Sequence, residues 1–306
     1  MMLADLGATV IKIEHPSDPD YVRGFPPFVG GVQGQGSGYF AQYNRHKLGV
    51  SLDLKQAEGR ALLIEMAAKA DILMENFRPG TMDKLGLGYE TLKALCPRLI
   101  YTSISGFGQT GPHSRRPAFD STAQAAGGLW SMNGQAGEPP VRVGTIIGDL
   151  AASFYAAIGT LAALRERDRS GLGQWVDVAQ QDSVVTLTES AIVDYTMAGI
   201  VAQPMGNDHA FVRPYGQYAC KDGYVFLGSY NDKFRLPDPG GCGFGRGSHE
   251  RVDHLCTGLG VTEALQRQLI QELSHGFVVA RIGHSMDSDG QCSGLIIGLD
   301  VGVGDE

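Results

Sequence analysis

Short apolar runs rich in β-branched residues recur along the first two thirds of the chain, and each is followed by a stretch whose apolar positions lie three or four apart. Met2, Leu3 and Leu6 read as the tail of a helix that Gly7 stops, and residues 9–14 (TVIKIE) read as a strand. A helix next to a first strand normally follows an earlier strand, so the pattern predicts that the natural start lies upstream. Residues 16–38 are rich in Gly, Pro and Asp and show no period, which predicts a long functional loop. A strand over 48–55, a helix over 56–69, a strand over 72–75, two short helices within 81–96 and a strand over 99–105 follow in order. The strand at 72–75 ends in Asn76-Phe77-Arg78-Pro79-Gly80, and a strand that runs into a Gly/Pro turn and a new helix is where α/β folds hold ligands. The alternation predicts an α/β fold with a doubly wound, mostly parallel, Rossmann-like sheet and a second, smaller, incomplete domain.

Beyond the Gly-rich loop 106–112, residues 120–130 look helical and 134–141 form a turn-rich loop. A β-branched run (Val143, Thr145, Ile146, Ile147) then stops at Gly148, and a small-residue helix pattern with Phe154, Ile158 and Leu161 on one stripe takes over. Asp149 sits where strand or loop becomes helix. On spacing alone it is a helix N-cap, accepting from free first-turn N–H groups, ionised and fixed in direction. Residues 174–178 form a strand and about 181–197 a long apolar helix. Residues 199–215 are loop-like, and 217–219 with 224–227 predict a β-hairpin with Asp-Gly in its turn. After Phe234 only residues 261–273 carry a helical period. The expected organisation is therefore a large α/β domain over 1–198, a linker and the start of a small domain over 199–234, and an atypical, poorly patterned tail over 235–306.

Composition narrows the chemistry. A chain of 306 residues can bury a large core, and its net charge of −8 argues against nucleic acid as the main partner, without excluding a small anionic ligand. Five scattered cysteines without metal spacing fit a reduced setting, and the expected location is the cytoplasm, or the mitochondrial matrix in a eukaryote. No basic-then-apolar leader is present, and no uninterrupted apolar run reaches membrane-spanning length, so no membrane partner is expected. GGCGFGRG at 240–247 lacks a preceding strand and a following helix, HExxH, GxSxG and Walker motifs are absent, and the histidines form no metal set.

The segments LADLGATVIKIEHP, NRHKLGVSLDLK, ADILMENFRPGTMDKLGLGYETL, PRLIYTSISGFGQTGP, PAFDSTAQAAGG, GDLAASFYAAIGTLAALRERDRSGLGQWVDVAQQDS and PYGQYACKDGYVFLG occur in the order and spacing of the family III CoA-transferases. This group, the formyl-CoA transferase or CaiB–BaiF family, also contains the alpha-methylacyl-CoA racemases. The resemblance covers about residues 3–234.

The resemblance implies that Asp149 is the nucleophile, attacking an acyl-CoA thioester to form a mixed anhydride and then an aspartyl-CoA thioester before an acceptor acid takes the CoA. It places coenzyme A contacts at His15, at Leu52, Asp53, Leu54 and Lys55, at Asn76, Phe77 and Arg78, at Lys84 and at Asp120, and it calls for no metal. Lys55 and Lys84 suit phosphate and Phe77 suits an adenine face, with Arg45 and Lys47 as further phosphate partners or surface cations. The racemases need a second acid/base at positions held here by Phe119 and Asn231, neither of which moves a proton, so the resemblance favours the transferase. It further implies an acyl-CoA and a small carboxylic acid as partners and an interlocked homodimer. An inactive, truncated family member is the other reading, because the family's first strand and turn are missing ahead of residue 1 and the pattern is lost after Phe234.

Overall fold

The computed structural model describes residues 1–210, 215–220, 223–228 and 278–282. These divide into two compact units, residues 1–132 with 141–202 and residues 133–140 with 203–306.

The first unit alternates strand and helix as the apolar pattern requires. Helix α1 (Met2–Asp5) and β1 (Val10–Glu14) are separated by Gly7, whose φ of +101° only glycine adopts without strain. The loop that follows contains two single-turn 3-10 segments, Tyr21–Gly24 and Val29–Gly31, and leads into α2 (Gly38–Asn44), a helix the sequence pattern does not reveal. Next come β2 (Lys47–Ser51), α3 (Ala57–Lys69), β3 (Ile72–Glu75), α4 (Thr81–Lys84), α5 (Tyr89–Leu95) and β4 (Ile100–Ser105). The predicted helix over 120–130 is two, α6 (Asp120–Ala126) and α7 (Leu129–Met132), parted at Gly127 and Gly128. Helix α8 (Ile147–Ser170) precedes β5 (Trp175–Ala179). The predicted long helix after it is also two, α9 (Gln180–Val185) and α10 (Ala191–Ala198). Between them Thr186 and Thr188 turn their hydroxyls onto the Ser183 and Val185 carbonyls, and Glu189 takes a φ of +49°.

The strands pair in parallel, with one isolated antiparallel bridge, Phe28 to Ser37, in the loop after β1. β1 pairs with β2, and β4 lies between β3 and β5, with Ile72 opposite Ile100 and Tyr101 opposite Trp175. The apolar cluster of Leu63, Ala67, Met82, Leu87, Leu92, Cys96, Leu99 and Tyr101 also receives Ile13 from β1, Leu52 and Leu54 from the turn after β2, and Leu73 from β3. One core therefore serves both sheets and the turns at their carboxyl ends, giving the parallel α/β fold that the sequence predicts.

Helix α8 departs from expectation. Phe154, Ile158 and Leu161 are 50%, 61% and 44% exposed, and the buried stripe is instead Ala151, Ala152, Ala156, Thr160 and Ala163. Small side chains let the helix approach β4 and β5 closely: a Cβ on Gly159 would meet Val176 at 2.8 Å, and the Thr160 and Thr102 hydroxyls meet at 2.8 Å, both fully buried. By length and composition α8 could cross a membrane, which a count of uninterrupted apolar runs does not register; its alanine face lies on the sheet. At its far end the buried Arg167 binds the Asp71 carboxylate at 2.7 Å and reaches the backbone carbonyls of Asp71 and Arg98.

In the second unit β6 (Tyr215–Cys220) and β7 (Gly223–Gly228) form the expected antiparallel hairpin, with Cys220 opposite Gly223. A third strand, β8 (Val278–Ile282), pairs antiparallel with β7, so the tail that looked patternless contributes to the sheet. The helix expected over 261–273, the turn residue Asp222, and Asn231 lie outside the described residues.

Candidate active site

The segment before α8 is not a strand, because side chains of α6 take its backbone groups. Gln124, fully buried, accepts the Val143 N–H at 3.0 Å through Oε1, and its Nε2 donates to the Thr145 carbonyl at 3.2 Å and to Asp120 Oδ2 at 2.8 Å. Asp120, the first residue of α6, accepts the Gly148 N–H at 2.8 Å through Oδ1, and the Arg142 guanidinium lies 3.8 Å from Oδ2. Asp120 is thus the carboxylate that satisfies the start of α8. This corrects the expectation that Asp149 caps its own helix. Asp149 is the third residue of α8 and makes no capping bond, and Asp120, expected to contact coenzyme A, is 7% exposed with both oxygens engaged inside the protein.

Asp149 is half-buried, and its Oδ1 accepts a hydrogen bond from Gln180 Nε2 at 2.5 Å. Among the described residues Oδ2 has no partner. Burial, and next the negative charge of Asp120, push the Asp149 carboxyl above the ordinary carboxylate range, while the Gln180 amide pulls it down. Its direction is therefore fixed by an amide from α9 and not by first-turn N–H groups.

The loop after β1 is tied down and carries aromatic rings. Arg23 makes a two-pronged bond to Glu14 at 2.8 and 2.9 Å and lies 3.8 Å above the Phe40 ring, and Lys12 pairs with Asp20 at 2.8 Å. Ser37 caps α2 by accepting the Phe40 N–H at 3.0 Å. Tyr21, Phe25, Tyr39 and Tyr43 then follow one another at centroid spacings of 5.5, 5.5 and 5.2 Å. Burial first, then Tyr43 and the Asp149 charge raise the Tyr39 hydroxyl above its ordinary range.

The remaining predicted contacts gather at the carboxyl ends of strands. His15, one residue past β1, brings Nε2 to 3.2 Å from Asp53 Oδ1, and Ser17 holds its Nδ1. Asp53 also accepts the Lys55 N–H at 2.8 Å, and Arg60 binds the Leu54 and Lys55 carbonyls, so residues 52–55 and His15 form one braced turn. Gly59 is required beneath it, since a Cβ there would meet the Asp53 carbonyl oxygen at 2.0 Å. Past β3, Glu75 accepts the Phe77 N–H at 2.8 Å and braces the turn that presents Asn76, Phe77 and Arg78; Phe77 is 46% exposed. Burial pushes the Glu75 carboxyl up.

The cations divide into two groups. Arg45 pairs with Asp5 at 2.5 Å, and the half-buried Lys47 donates to Asn44 at 2.9 Å, so both already have protein partners. Among the described residues Lys55, Arg78 and Lys84 are in no ion pair and are exposed, so their charge is available to an anionic ligand. No group of three or more His, Cys, Asp or Glu among the described residues is placed to hold a metal. Phe119, at the N-terminus of α6, is 73% exposed.

Gln180, which holds Asp149, and Tyr39, in the aromatic row, are residues that sequence patterning misses. The signal for Gln180 was available, since it directly follows the last parallel strand of its sheet, at the edge where such folds bind ligands. Tyr39 lies in a helix of seven residues without apolar period.

Residues 1–236 match the profile of CoA-transferase family III. The chain is 42% identical over 237 residues to a succinyl-CoA:mesaconate CoA-transferase of Haloarcula hispanica, covering 76% of this chain and 60% of that protein. It is 41% identical over 222 residues to an acetyl-CoA:oxalate CoA-transferase of Acetobacter aceti, covering 72% of this chain and 56% of the relative. Over 234 residues it is 36% identical to the human succinyl-CoA:glutarate CoA-transferase, covering 76% and 52%. The chain thus spans between half and three fifths of the length of these relatives. Among solved structures, a CAIB/BAIF family protein from Brucella suis superposes with a TM-score of 0.72 at 33% identity, covering 88% of this chain and 70% of that one.

Proposed function

Because the chain belongs to CoA-transferase family III, we propose that it carries the catalytic face of an enzyme that moves CoA from an acyl-CoA to a carboxylic acid, with Asp149 as the covalent acceptor. The observation that carries this reading is the Asp149 carboxylate itself, half-buried, with one oxygen held by an amide and the other without a protein partner among the described residues. A carboxylate raised above its usual basicity is a better nucleophile once ionised, and it matches the acceptor acid in chemistry, so each exchange is close to balanced and needs no phosphoanhydride energy.

In the proposed sequence Asp149 Oδ2 attacks the thioester carbonyl carbon, the C–S bond breaks, and CoA leaves as thiolate from a mixed anhydride. The thiolate attacks Asp149 Cγ and the donor acid departs carrying Oδ2. The acceptor carboxylate then attacks Cγ and expels thiolate, which finally attacks the acceptor's carbonyl carbon, releasing a new acyl-CoA and a carboxylate at Asp149. The braced turns at 52–55 and 76–78 and Lys55, Arg78 and Lys84, which are in no ion pair among the described residues, are the proposed cradle for the adenosine and phosphates of CoA. The named relatives act with mesaconate, oxalate and glutarate, so a dicarboxylic acid is the proposed acceptor class. A racemase reading is disfavoured by Phe119, which has no proton to move. The exposed Phe154, Ile158 and Leu161 of α8 support the reading of a homodimer.

Incubation with succinyl-CoA and then hydroxylamine is expected to leave a hydroxamate on the peptide carrying Asp149, detected by mass spectrometry, and D149N is expected to leave none. An unmodified peptide in the unsubstituted protein refutes the proposal.

A further inference from the structure

We infer that Gln180 is a catalytic residue of this transfer, donating to the Asp149 oxygen that stays on the protein, Oδ1, and stabilising the charge that gathers there whenever Cγ is attacked. The inference rests on the reading of Asp149 as nucleophile and adds an assignment for its neighbour. Two of the four proposed steps, thiolate attack on the anhydride and acceptor attack on the aspartyl thioester, place a full negative charge on Oδ1. In resting Asp149 that oxygen carries only part of a charge. A fixed N–H donor at Oδ1 therefore binds the transition states of these steps more strongly than the ground state, which is the condition for catalysis.

Position favours the assignment. Gln180 opens α9 directly after β5, and its backbone is pinned on both sides: the Gln181 N–H donates to the Gly106 carbonyl at 3.0 Å and the Ser183 hydroxyl to the Ala179 carbonyl at 2.8 Å. Ser183 and Val184, 4% and 0% exposed, seat the helix below. The amide thus comes from a rigid element, and the bond it makes is short. Amide chemistry suits this role, because a neutral donor supplies no full positive charge and Asp149 keeps the raised basicity that burial and Asp120 give it. A lysine or arginine at the same place would pair with the carboxylate and weaken it as a nucleophile.

The test compares the full chain with Q180M, which keeps length and volume without the donor, and with Q180E, which keeps polarity but loses the donor when ionised. The expected result is a fall in kcat on the order of 100-fold, the usual cost of one oxyanion donor. The KM for acyl-CoA should stay nearly constant, and the acid limb of the pH profile should move to higher pH in Q180M. A structural role alone would lower the melting temperature with kcat on the pH plateau close to that of the parent, and that outcome overturns the assignment; should Q180M fail to fold, plateau kcat of Q180E carries the same comparison. Normal hydroxamate formation with unchanged kinetics in both variants refutes Gln180 alone. Absence of any adduct in the unsubstituted protein refutes the Asp149 reading and this inference together.

Discussion

Burial and the Asp120 charge make the ionised form of Asp149 harder to hold in the folded protein than in the unfolded chain. A carboxyl whose folded pKa is raised favours folding while it is protonated, and that contribution disappears as pH rises through the folded value. At neutral pH the unsubstituted protein therefore bears the full cost of the charge, and D149N does not. Thermal unfolding is expected to show D149N more stable than the parent at pH 7, with the gain shrinking toward zero as pH falls below the ordinary carboxylate range. A gain that is equal at both ends of the range contradicts this account. In the proposed reading the gain in stability and the loss of the nucleophile are the same event, a trade-off between stability and activity. The family-like GD segment singles out Asp149 in the sequence as the candidate, but the groups that surround its carboxylate could not be read there. The spacing of one aspartate ahead of an alanine-rich helix cannot say that the cap comes from Asp120, 28 residues earlier.

At the scale of elements, the strands were legible because β-branched apolar runs bounded by turn residues admit few alternatives. β3 matches its predicted bounds, and β4 and β5 differ by one residue at one or both ends. What pattern could not reveal was which side of α8 is buried. Hydrophobicity pointed to Phe154, Ile158 and Leu161, but close approach to β4 and β5 selects the alanine and threonine face. The break between α9 and α10 was hidden for a similar reason, since Thr186 and Thr188 end a helix only when their hydroxyls find carbonyls in place of solvent. β8 is a short, mostly apolar run with no adjacent partner, and its pairing with β7 spans some fifty residues of chain. The Thr102–Thr160 contact provides a measure of how much polarity this packing uses. T160V leaves the buried Thr102 hydroxyl alone and is expected to cost about 1–3 kcal/mol in chemical denaturation, while T102V/T160V, which removes both hydroxyls, should lie within about 1 kcal/mol of the parent. A double variant as unstable as the sum of the singles refutes the pairing.

For the molecule as a whole, Phe154, Ile158 and Leu161 of α8 and Ile192, Val193, Tyr195 and Met197 of α10 leave large apolar side chains exposed to water. Sedimentation velocity of the unsubstituted chain is expected to give a dimer, and I158E a shift toward monomer; a parent that sediments as monomer refutes the proposed association. The match to the family ends near residue 236, and β8 lies beyond it, so whatever follows the match still supplies the sheet of the second unit. The site depends on a single closeness between α6 and α8. A side chain on Gly148 would stand 3.2 Å from Asp120 Oδ1 and 3.3 Å from the Ala123 Cβ. Bulk at that position, one residue away from Asp149, would press on the Asp120 carboxylate and on the Ala123 side chain, so glycine there lets α6 and α8 keep their present distance.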